Sequence, residues 1–89
     1  MNITDVRIRL ITKEDSPLKA VASITIDGAF VVHDIKIVDG ANGYFIAMPS
    51  RKFGENEHKD IAHPINAEAR AQVQEAIMNA YQKEINAQA

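Results

Sequence analysis

The 89-residue chain has no cysteine and no tryptophan, only 3 prolines and 4 glycines, and an aromatic content of 6%. Without cysteine there can be no disulfide staple, no thiolate metal site and no thiol nucleophile. No stretch approaches the ~20 apolar residues of a membrane span. Residues 1–5 lack the charged and apolar regions of a secretory leader, so a cytoplasmic protein with no membrane partner is expected. An excess of positive charge is also missing, because 10 Lys+Arg face 12 Asp+Glu for a net charge of -2. Bulk charge cannot hold nucleic acid here, and only a local basic patch could. What is present is ordinary for a globular protein: 46% hydrophobic and 25% charged residues. The length fits one domain, residues 1–89. A domain of this size buries only ~60–65% of its unfolded surface, so a ligand or partner chain would help to complete its core.

Residues 3–11 alternate strictly, with Val6, Ile8 and Leu10 on one face and Asp5, Arg7 and Arg9 on the other. A period of two predicts a half-buried strand. After the polar break Lys13–Pro17, residues 18–26 alternate again, placing Leu18, Ala20, Ala22, Ile24 and Ile26 together. The two runs predict an antiparallel hairpin. Past the Asp27-Gly28 turn, residues 29–38 read as a third strand, with Val31, His33, Ile35 and Ile37 on one face and Phe30, Val32, Asp34, Lys36 and Val38 on the other. Apolar residues on both faces predict cover on both sides, at least over Phe30–Val32. One helix cannot cover both faces of a sheet, so a second chain or a swapped element is expected to supply the missing cover.

The glycine-rich turn 39–43 leads into a short apolar strand, Tyr44–Met48, closed by Pro49. Residues 50–58 read as an exposed hairpin loop, and Lys59–His63 as a short fifth strand ended by Pro64. The period then becomes helical, with Ala69, Val73, Ile77 and either Ala80 or Tyr81 on one stripe that could extend to Ile85, and Asn66 as N-cap. A helix from about Ala67 to Ile85 is predicted, with Asn86–Ala89 frayed. The expected fold is α+β: an antiparallel sheet of four to five strands with a C-terminal helix packed on one face, in a dimer.

Chemistry-bearing motifs are scarce. The three histidines, His33, His58 and His63, have no metal-ligand spacing, and no serine sits in a nucleophile motif. His33 and His63 read as partly buried residues bonded to backbone. Asp60 and His63 fall on opposite faces if that segment is extended. No catalytic residue, metal site, cofactor or small-molecule substrate is assigned, and no enzyme is expected. The basic residues say more. Arg51 and Lys52 are adjacent at the start of the polar loop, Lys59 lies across that hairpin, and Arg70 stands in the first turns of the helix. Four acidic residues between 50 and 70 balance them. Arg7 and Arg9 form a second basic pair on the polar face of the first strand.

Longer strings carry a family resemblance. Phe30-Val-Val-His-Asp-Ile-Lys-Ile-Val-Asp-Gly40 is followed by Asn42-Gly-Tyr-Phe-Ile-Ala-Met-Pro-Ser50 and Lys59-Asp-Ile-Ala-His-Pro-Ile-Asn66, with Thr4–Arg9 and Lys19–Asp27 upstream. In this order, from about Asn2 to Tyr81, they resemble the SpoVG family, also called stage V sporulation protein G. The resemblance implies a small homodimeric bacterial regulator that binds DNA or RNA and influences septation, sporulation or gene expression. It also implies a sheet extended or exchanged between chains. The family's basic pair after Met-Pro-Ser, linked to nucleic-acid contact, corresponds to Arg51 and Lys52 with its order reversed. The family commonly continues Thr-Pro-Asp-Gly-Glu-Phe, where this chain has Phe53-Gly-Glu-Asn-Glu-His58. The expected site is therefore Arg51 and Lys52, with Lys59 and Arg70 at the edge of the same patch. The rival expectation is a protein-interaction adaptor in division or regulation that binds no nucleic acid, which the net charge favours.

Overall fold

The computed structural model describes residues 1–88. Four antiparallel strands, β1 (Ile3–Leu10), β2 (Leu18–Ile26), β3 (Phe30–Gly40) and β4 (Gly43–Ala47), form one sheet in sequential order. Two more, β5 (Ser50–Phe53) and β6 (Glu57–Asp60), form a separate two-stranded ribbon. The helix α1 (Ala67–Gln88) closes the chain and packs over β1 and β2.

The alternation in β1 and β2 sets the core. Cross-strand pairing aligns Val6 with Ile24, Ile8 with Ala22 and Leu10 with Ala20. It then aligns Ala22 with Ile35, Ala20 with Ile37, and Ile37 with Ile46. Ala20 and Ala22 are small as well as buried, which lets the helix come close to the middle of the sheet. From the helix, Val73, Ile77 and Tyr81 complete the cluster, with Met78 and Ile85 packed at its margin. The predicted stripe is thus the buried one. Ile24, Ile35, Ile37 and Ile77 are fully buried, and each such side chain contributes ~1.5–3 kcal/mol by leaving water.

The helix begins where its cap signal stands. Asn66 Oδ1 accepts a hydrogen bond from the Ala69 N–H at 2.7 Å, satisfying one of the unpaired donors of the first turn. The helix continues to Gln88; Ala89 lies outside the described residues. At the far end of the sheet, Tyr81 packs edge-on against Tyr44, with ring centroids 5.8 Å apart. Burial, with Tyr44 and Asp39 adding to it, pushes the Tyr81 hydroxyl above its ordinary value of 10.0.

The third strand departs from the predicted alternation. Ile24 pairs with Val32 but Ala22 pairs with Ile35, so β3 carries one extra residue there. Asp34, at φ 61°, absorbs it in a bulge. A bulge reverses the phase of every later side chain. Val32, Ile35 and Ile37 therefore share the helix-covered face, and Val31 lies on the open one. The expected two-sided cover over Phe30–Val32 is not present within the chain, where Phe30 is 66% exposed. His33 is likewise exposed at the bulge and not a partly buried residue. The Asp27-Gly28 turn is as expected: both residues have positive φ, and the Gly28 N–H reaches Thr4 Oγ1 at 3.0 Å.

Candidate nucleic-acid interface

The segment expected to be a loop is itself a strand pair. Its register sets Ser50 opposite Asp60, Arg51 opposite Lys59, Lys52 opposite His58 and Phe53 opposite Glu57. Gly54, with φ 69°, makes the turn at the tip. The fifth strand runs Glu57–Asp60 rather than Lys59–His63, because the backbone bends at Ile61. All eight strand residues are exposed. The ribbon has no buried face, so nothing apolar in its sequence announces it. Below its last pair, the Ile61 N–H bonds to the Pro49 carbonyl at 2.7 Å and ties off the base.

Strand geometry divides the predicted basic cluster. Arg51 and Lys52 are neighbours in sequence, so they project to opposite faces of the ribbon. Arg51 and its cross-strand partner Lys59 share one face with Phe53. The Arg51 guanidinium carbon lies 5.7 Å from the centre of the Phe53 ring, and Lys59 Nζ lies 5.4 Å from it. Both cations thus lie within cation–π range of one exposed aromatic ring. Glu57 joins this face, leaving it with two positive charges against one negative. The other face combines Lys52 and His58 with Asp60, where one charge cancels the other. Among the described residues, no carboxylate lies within 4.0 Å of Arg51, Lys52 or Lys59. Sequence adjacency had singled out Arg51 and Lys52; the geometric pair is Arg51 and Lys59, and Phe53 is the residue that reading overlooked. The i, i+2 spacing of Arg51 and Phe53 was the available signal.

Arg70 is not on the ribbon. It lines a cleft of about 320 Å³ between the helix and the end of β4, together with Asp60, His63 and Gln74, over Met48 and Val73. The segment is not extended past Asp60, since the backbone bends at Ile61, and Asp60 and His63 both line this cleft. His63 Nδ1 lies 3.1 Å from the Pro64 carbonyl, in line with the expected backbone bond, although the residue is exposed. Among the described residues, no group of three or more His, Cys, Asp or Glu side chains could hold a metal ion. The helix is not long and apolar enough to cross a membrane.

The family model described as SpoVG matches residues 1–83. A protein of Clostridium perfringens named "Putative septation protein SpoVG" is 60% identical over 83 residues, covering 93% of this chain and 91% of its own. A protein of the same name from Caldicellulosiruptor bescii is 60% identical over 87 residues, covering 98% of each chain. A third, from Lachnospira eligens, is 58% identical over 83 residues, covering 93% of each. The name that these relatives share is not that of an enzyme.

Proposed function

The chain belongs to the SpoVG family, and from that premise we propose that it is a cytoplasmic, homodimeric nucleic-acid-binding regulator acting in septation or gene expression. The observation that carries the proposal is the ribbon face on which Arg51 and Lys59 both lie close to the exposed Phe53 ring. A two-stranded ribbon is a shape that the DNA major groove admits. Unpaired cations supply phosphate contacts, and an exposed ring between them offers a surface for a base or sugar. Lys52, on the opposite face, meets a second line of phosphates if the ribbon lies within a groove. Arg70, across the neighbouring cleft, is the outermost member of the site.

Surface area supports the dimer. The chain exposes 6536 Å², where a compact monomer of 9.8 kDa would expose about 5200 Å². Phe30, Phe45 and Ile65 are among the exposed apolar residues. A second copy is the occupant that the family resemblance supplies, and its symmetry would double the basic ribbon.

The test is the salt dependence of binding to duplex DNA. Arg51→Ala with Lys59→Ala is expected to weaken binding on every sequence and to lower the slope of log K against log salt by ~1.8 per bound chain. An unchanged slope and affinity would remove the ribbon from the interface. The adaptor reading is favoured by the net charge of -2 and by Ile61 and Ile65, which are 69% and 88% exposed. It stands alone if the purified chain retains no DNA or RNA at low salt.

A further inference from the structure

The open face of the sheet holds a second set of cations. The register places Arg9, Val21, Lys36 and Ala47 in one row across all four strands. Strands are ~4.8 Å apart, so Arg9 and Lys36 leave the sheet about 10 Å from each other, with only Val21 between them. Arg7 belongs to the same face but is already engaged, since its Nε lies 3.2 Å from Asp5 Oδ2. Neither Arg9 nor Lys36 has a carboxylate within 4.0 Å among the described residues.

A cleft of about 470 Å³ begins over this row. Arg9, Val21 and Lys36 line its floor, Ser50 and Ile61 at the base of the ribbon form a wall, and Asp34 stands at its edge. Two positive charges face one negative, the same balance as on the Arg51 face of the ribbon. The cleft reaches the base of the ribbon at Ser50 and Ile61.

We infer that Arg9 and Lys36 bind the phosphodiester backbone of the nucleic acid held by the ribbon, so that the interface is a continuous track from ribbon to open sheet. This rests on the nucleic-acid reading above. Arg7 lies outside the track because it does not line the cleft.

The experiment compares salt slopes for a mixed-sequence duplex DNA and for a single-stranded RNA of the same sequence, using the whole chain. Arg9→Ala with Lys36→Ala is expected to lower the slope by ~1.8 per bound chain on the duplex and ~1.4 on the single strand. Arg9→Lys with Lys36→Arg keeps the charges and is expected to keep the parent slope, which distinguishes contact from a structural effect. Arg7→Ala is expected to leave the slope unchanged. A parent slope in Arg9→Ala/Lys36→Ala, with a reduced slope in Arg51→Ala/Lys59→Ala, overturns the track and leaves the ribbon reading intact. The opposite pattern overturns the ribbon reading, and with it the continuous track. Failure of the parent chain to bind either probe at low salt overturns both.

Discussion

The sheet with its helix and the two-stranded ribbon are built on opposite terms. In the first, Ile24, Ile35, Ile37 and Ile77 are fully buried in one apolar cluster. In the second, every strand residue is exposed and the polar pattern hides the strands. Stability therefore belongs to the sheet and helix, and the ribbon presents charge without adding a core. A substitution should disturb one property without the other, and that separation can be attacked experimentally.

The sharpest break comes from the core. Ile77→Ala removes a fully buried side chain beneath the sheet and should cost ~2–5 kcal/mol. That is a large share of the ~5–15 kcal/mol typical of native proteins, so the urea midpoint should fall steeply. Gly40→Ala is next. A Cβ at Gly40 would meet the Phe45 ring at 2.9 Å. Phe45 is exposed and its ring can swing toward solvent, so the loss should stay near ~1 kcal/mol, the low end for overpacking, in the same measurement. Asn66→Ala removes the acceptor for the Ala69 N–H and should cost ~1 kcal/mol, with helicity by circular dichroism falling at the N-terminal turn.

A smaller effect comes with pH. Tyr81 has its hydroxyl pushed above 10.0 in the folded chain, so folding favours the protonated form. The stability this contributes is complete below about pH 10, the unfolded value, and declines as pH rises above it. In an absorbance titration one of the two tyrosines should ionise late, and unfolding should abolish the delay. The smallest effect is expected in the ribbon. Arg51→Ala with Lys59→Ala should move the urea midpoint by no more than ~0.5 kcal/mol equivalent, because surface positions rarely move it further. A large loss of stability there would dissolve the distinction between the two regions.

The same division explains what could be read from the sequence. The alternation in β1 and β2, the Asn66 cap and the stripe through Val73, Ile77 and Tyr81 were legible because each has a buried face to report on. The phase change in β3 was not. His33 and Asp34 interrupt no apolar run, and the alternation of Val31, His33, Ile35 and Ile37 passes straight through the bulge. The family strings supplied the basic residues of the ribbon but not their arrangement. Without a core face, only the strand assignment of residues 50–60 could show that Arg51 faces Lys59 and turns away from Lys52.

The ribbon joins the rest of the molecule through the chain on either side of it, pinned by the bond from the Ile61 N–H to the Pro49 carbonyl. A segment attached in this way can change sequence at its tip, residues 53–58, without asking the core to repack. A fold arranged like this can diversify what it touches while inheriting its stability unaltered.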